Sequence, residues 1–147
     1  MDAEALELAM RTLSIAAQII ERIQQSMVRR GYPDVRPAHG FAFVRISSGD
    51  ATTLDVAEHL GVTKQAASQL VEQLVERGYV ERTVDPDDAR RRPLRLTARG
   101  RACTRAAEAS AVEAVRPWSA QLSADGTRRL LSALRRIDAG GPLRPVW

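Results

Sequence analysis

The chain has 147 residues, 44% of them hydrophobic but only 4% aromatic, and a formal net charge of +4. That length suits one domain with its own core, and the Ala- and Leu-rich, aromatic-poor balance favours a helical fold over an all-β one. Apolar runs stay short of the ~18 residues that a membrane-crossing helix needs, and the single cysteine, Cys103, excludes an internal disulfide and a multi-cysteine zinc cluster. The opening MDAEALELAM carries acids and lacks the basic start of a secretory signal, so a cytoplasmic protein is expected, with no membrane association.

The first predicted element is a long helix over residues 3–30. Leu6, Met10, Leu13, Ala17 and Ile20 recur at the helical period, and Ile15, Ile19 and Ile23 widen the stripe onto a second face. This is more apolar surface than one partner helix covers, so part of it is expected to face another subunit. Gly31 and Pro33 end the helix. A short second helix spans about residues 36–46 and closes at Ser47-Ser48-Gly49-Asp50. Thr52 and Asp55 then form a capping-box pattern, with Asp in place of the usual Glu or Gln, that opens the helix TLDVAEHL. Gly61 ends that helix, Thr63 caps the next, KQAASQLVEQLVER, and Gly78 stops it. YVERTV and PLRLT read as short strands. Two further helices run from about Ala98 to near Pro117 and from Ser123 through Leu130, Leu131, Leu134 and Ile137. The tail GGPLRPVW reads as irregular. No repeat or low-complexity linker breaks the chain, so a single domain is expected.

Residues 53–75 carry the strongest signal. Ala57 is small where two helices cross closely, and Gly61 stands four residues later where a tight turn favours positive φ. Ala67, Leu70, Val71 and Leu74 give the second helix a buried stripe. Its other face presents Lys64, Gln65, Ser68 and Gln69, side chains that can bond to base edges in a major groove. An ordinary α-hairpin with a wet polar side is the plainer alternative. The small residue, the turn glycine and the uncharged polar face together favour a DNA-type helix-turn-helix.

The next segment, RTVDPDDARRRPLRLT, concentrates charge. Residues 77–105 hold nine basic and four acidic side chains, so the rest of the protein is about neutral. Focused positive charge is the footprint expected for a polyanion partner. A two-stranded hairpin after a recognition helix is a wing, with its tip at about Asp85 to Arg91. Pro86 presets the turn, Asp88 is expected to hold the Arg90 guanidinium, Arg90 to enter a minor groove, and Arg91 and Arg92 to meet flanking phosphates.

The pattern DPDDARRRPLRLTARG after LGVTKQAASQLVEQLVERGYVER resembles the multiple antibiotic resistance regulator (MarR) family. The likeness covers about residues 36–101. It rests on D-x-R at Asp88 and Arg90 and on L-T-x-x-G at Leu96, Thr97 and Gly100. It implies a mainly α fold: a winged helix-turn-helix with a two-stranded β wing, over about residues 36–100, and dimerisation helices at about 3–32 and 101–139. It also implies a homodimeric transcription regulator, a repressor of a pseudo-palindromic double-stranded DNA operator, released by a small aromatic or phenolic effector. By position, Lys64, Gln65, Ser68 and Gln69 correspond to major-groove contacts and Arg90 to the minor-groove arginine. Gln69 departs from the Arg or Lys common in the family, and Ala89 from an arginine beside the wing aspartate.

Other signals are weaker. Phe41, Phe43 and Trp118 could line an effector cavity, but core roles are expected. Cys103 reads as packing. His39 and His59 lack the convergent partners a metal needs, and no nucleophile, acid-base set or phosphate loop is present, so no enzyme activity, cofactor or metal is expected. Two rival readings stay open: a winged-helix module that binds protein, and a ligand-binding dimer without DNA binding.

Overall fold

The computed structural model describes residues 2–138. In chain order it contains α1 (Ala3–Arg29), α2 (Pro37–Ser47), α3 (Thr53–Leu60), α4 (Lys64–Glu76), β1 (Val80–Arg82), β2 (Leu94–Leu96), α5 (Ala98–Val115), α6 (Trp118–Gln121) and α7 (Ala124–Ile137). The fold is mainly helical with one two-stranded antiparallel sheet, a winged helix. Every helix and strand expected from the sequence is present; only α6, a single turn after Pro117, had no periodic signal. The expected irregular tail lies outside the described residues. These residues divide into two compact units, Val35–Ala106 and residues 2–34 with 107–138.

In the first unit, α2, α3 and α4 pack around Phe43, Val56, Val71, Leu74 and Tyr79, all fully buried. Each such side chain contributes about 1.5–3 kcal/mol by leaving water. Phe43 and Tyr79 meet as a tilted aromatic pair with centroids 5.8 Å apart. On α4 the expected stripe is buried at Ala67, Val71 and Leu74 and half-buried at Leu70. The α3–α4 turn works as its sequence requires. Gly61 sits in the left-handed region (φ 66°, ψ 34°). There its N–H reaches Glu58 O at 3.2 Å while the Val62 N–H reaches Ala57 O at 3.1 Å. This paired C-cap is open to glycine without a Cβ penalty. The Thr52–Asp55 box also forms: the Asp55 carboxylate accepts from the Thr52 N–H at 2.7 Å and from its hydroxyl at 2.6 Å.

The strands pair Val80 with Leu96, Glu81 with Arg95 and Arg82 with Leu94. Ala51, in the loop before α3, adds a bridge to Leu94. Thr97 joins the sheet to α5: its N–H donates to Tyr79 O at 3.0 Å, and its hydroxyl caps the Gly100 N–H at 3.0 Å. Gly100 packs against the same carbonyl, so closely that a Cβ there would lie 2.1 Å from the Tyr79 oxygen. The L-T-x-x-G motif is thus a local solution for seating a helix on a strand end.

The second unit holds a buried polar cluster with no sequence signal. Ser26 and Ser110 are both buried. The Ser110 hydroxyl donates to Ser26 Oγ at 2.9 Å, and Ser26 donates to Glu113 Oε2 at 2.9 Å. Arg29 and Arg30 pair with Glu113 at 2.8 and 3.2 Å. Ser26 first, then the two arginines, hold the Glu113 carboxyl below its ordinary range. Ser123 caps α7 through the Gly126 N–H at 3.1 Å. Large apolar side chains stay open on the single chain, including Leu8, Met10 and Leu13 of α1 and Leu131, Leu134 and Ile137 of α7.

Candidate nucleic-acid interface

The interface is built on α4 and the wing. Thr63 starts α4 by accepting from the Ala66 N–H at 3.1 Å. The buried stripe fixes the helix's rotation, and this turns Lys64, Gln65 and Gln69 to solvent and leaves Ser68 half-buried. None of these four side chains has a hydrogen-bond or ion-pair partner among the described residues. Their donors and acceptors are unspent. One turn beyond Ser68, Glu72 pairs at 2.8 Å with Arg82 of β1, tying the helix to the first wing strand.

The wing tip is organised by short polar bonds. The Asp85 carboxylate accepts from the Asp87 N–H at 2.9 Å, and the Arg91 N–H bonds Asp88 O at 3.1 Å. Asp88 was expected to hold the Arg90 guanidinium. Instead its Oδ1 accepts from the Arg90 backbone N–H at 2.9 Å. A side chain two residues away forms this turn bond more readily than it reaches around an arginine stem. Asp88 therefore bonds the backbone that carries Arg90 and leaves the guanidinium exposed.

The three arginines are not equivalent. Arg90 is exposed, and the exposed Arg92 bonds, among the described residues, only the nearby Ala89 and Arg91 carbonyls. Arg91, expected at a phosphate, has its guanidinium held by other parts of the protein. It bonds the Asp50 carboxylate, the Asp50 carbonyl at 2.9 Å and the Asp85 carboxylate at 3.0 Å. Those bonds raise the Arg91 pKa above its ordinary value. The Asp87 N–H, then Arg91, lower that of Asp85. Asp50 lies 41 residues from Arg91 and takes a left-handed φ of 52°, which Asp tolerates better than most side chains. Neither the Asp50 contact nor the Glu72–Arg82 pair carries a signal in the sequence.

The weaker candidates fall elsewhere. Phe43 is core, while Phe41 and Trp118 are half-buried. His39 Nδ1 accepts from the Arg36 N–H at 2.9 Å, capping α2. Among the described residues, no group of His, Cys, Asp or Glu could hold a metal, and no helix is long and apolar enough to cross a membrane.

Residues 36–91, from the start of α2 to the wing arginines, match the MarR family model. Over that stretch the winged helix is similar to the MarR family. No curated protein matches the chain. Solved structures similar to it carry the MarR-type fold over almost the whole length. One is the MarR family protein Rv2887 of Mycobacterium tuberculosis, in complex with DNA. It is 23% identical over 90% of this chain and 98% of its own, with a TM-score of 0.69. A mutant MarR from E. coli, complexed with operator DNA, is 20% identical over 92% and 96%, with a TM-score of 0.69. CouR from Rhodococcus jostii RHA1, bound to p-coumaroyl-CoA, is 21% identical over 93% and 95%, with a TM-score of 0.68.

Proposed function

We propose that the protein is a homodimeric, sequence-specific regulator of transcription that binds double-stranded DNA. The observation that carries this reading is a MarR-like winged helix whose α4 side chains Lys64, Gln65, Ser68 and Gln69 and wing-tip Arg90 have no side-chain partner within the described residues. Lys64, Gln65, Ser68 and Gln69 read base edges in the major groove, Arg90 enters the minor groove, and Arg92 meets a phosphate. Asp88 orients the tip through its bond to the Arg90 backbone. In this reading the winged helix, about residues 36–100, is the DNA-binding part, and the helices at about 3–32 and 101–139 form the dimer. The open apolar faces of α1 and α7 support that division. Two subunits place their recognition helices one turn of the duplex apart, roughly 34 Å, which calls for a pseudo-palindromic operator. Such a regulator works in the cytoplasm.

The finer reading is a repressor released by a small aromatic or phenolic effector. It rests on the likeness to CouR, a protein bound to p-coumaroyl-CoA in its own structure. The effector acts by favouring one spacing of the two recognition helices over the other.

A gel shift with DNA from upstream of the protein's own gene, with and without competitor, tests the core claim. With about 6–10 phosphates neutralised per dimer, affinity falls ~10³–10⁵-fold from about 50 to 200 mM salt. Arg90→Ala weakens binding while the dimer stays folded; wild-type binding by that variant at equal salt rules out the wing assignment. Absence of specific binding by the wild-type protein rules out the regulator. Addition of a phenolic acid or its CoA thioester to the bound complex tests release.

A further inference from the structure

We infer that Arg91 is a positioning residue, clasped by Asp50 and Asp85 so that the wing tip is fixed and Arg90, not Arg91, meets the duplex. The inference deepens the DNA-binding reading and rests on it for its functional half. The two wing strands are three residues each, and beyond them the Thr83 N–H to Pro93 O bond, at 2.8 Å, closes the base of the tip loop. A hairpin this short has little fixity of its own. The clasp supplies what is missing from outside the hairpin. Asp50 belongs to the loop before α3, whose neighbour Ala51 already bridges to Leu94. Its carboxylate and its carbonyl both take Arg91.

Asp85 divides its two oxygens between the wing and the clasp. Oδ1 accepts from the Asp87 N–H and Oδ2 from Arg91. The Arg91 side chain is only 28% exposed, although it stands between two exposed arginines. One guanidinium against two carboxylates leaves the clasp with net negative charge, so Arg91 adds no positive potential to the tip. The forked guanidinium suits this role, since it can reach a carboxylate, a carbonyl and a second carboxylate at once.

The clasp makes a prediction opposite to simple electrostatics. Removing the negative charge of Asp50 near DNA should strengthen binding if Arg91 is a phosphate contact, because the arginine is released. If Arg91 positions the tip, the same change weakens binding. The full-length protein is measured by fluorescence anisotropy on the upstream DNA across a salt series, using Asp50→Gly, Arg91→Ala, the double variant and Arg90→Ala. Glycine keeps the left-handed backbone at position 50 relaxed. Asp50→Gly and Arg91→Ala should each weaken binding roughly tenfold, with the wild-type salt slope, and the double variant should be no weaker than either. Arg90→Ala should lower the slope by about one.

Hydrogen exchange on the free protein tests the clasp without DNA. Amides of residues 84–92 should exchange faster in Asp50→Gly and in Arg91→Ala, at unchanged thermal midpoint. Tighter DNA binding by Asp50→Gly, a slope loss in Arg91→Ala, or wild-type exchange in the tip of either variant overturns the inference. Wild-type protein that binds no DNA, with tip exchange accelerated in both variants, sinks the regulator and leaves the clasp standing.

Discussion

Gly100→Ala and Gly40→Ala are the same chemical change with opposite expected signs. A Cβ at Gly100 would lie 2.1 Å from the Tyr79 carbonyl oxygen, 3.1 Å from its carbon and 3.4 Å from Leu96 Cβ. The nearest atoms are backbone, so the first turn of α5 and the residue that leads into β1 must part by roughly 1 Å to reach ordinary contact, an overpacking strain of about 1–3 kcal/mol. That carbonyl also accepts from the Thr97 N–H at 3.0 Å, and parting the two weakens a bond worth about 1 kcal/mol. Alanine in place of glycine in a helix returns about 1 kcal/mol. The balance is a loss of about 1–3 kcal/mol, or a thermal midpoint lower by roughly 3–10 °C for a chain of this size.

At Gly40, in α2, nothing lies within 4 Å of the added atom. There only the helix preference remains, and Gly40→Ala should stabilise by about 0.5–1 kcal/mol. Urea and thermal unfolding followed by circular dichroism, at one protein concentration, give both values. A Gly100→Ala variant as stable as wild type would show that the close approach of α5 to Tyr79 is not real.

Three other expectations are independent of that one. Thr52→Ala removes the α3 cap and should cost about 1 kcal/mol. Thr52 is also the main reason the Asp55 carboxyl titrates below its ordinary 3.8, so in the wild type this stability is complete above that value and is lost as pH falls through the lower one. Unfolding between about pH 2 and pH 5 should therefore depend less on pH in Thr52→Ala, and an identical acid slope would count against the box. Glu113→Gln should unfold at lower urea near neutral pH and lose part of its acid-side pH dependence. The depressed Glu113 carboxyl stabilises the fold above its ordinary 4.5 and stops doing so on acidification. An unaltered profile would remove the Ser26–Glu113–arginine cluster from the account. Leu13, on α1, is 66% exposed on the single chain, so Leu13→Glu should leave the chain folded yet shift sedimentation from dimer to monomer. A variant that stays dimeric would take Leu13 out of the proposed interface.

What could be read from the sequence was local. The caps at Thr52 and Thr63 and the stop at Gly61 each depend on residues within four positions, and all three form as expected. The α4 stripe and the strands that flank the wing follow from periodicity alone. The interactions the sequence hid are those between distant residues. Arg91 finds Asp50 across 41 positions, and Ser26 finds Ser110 across 84. Asp88 shows a subtler failure. The residue and its neighbour were identified, but the bond goes to the Arg90 backbone rather than to its guanidinium, since the short path to an N–H wins over the long path to a flexible head. The exposed side chains of α4 could be named because the buried ones determine which way the helix is turned.

Cys103 is the only cysteine in the sequence, and it is fully buried, on α5. A thiol-reactive dye therefore has a single target, and that target is sealed while its surroundings are closed. The rate at which colour develops under native conditions measures how often this part of the molecule breathes open. The protein thus carries its own reporter of internal motion, with no residue added or removed to create it.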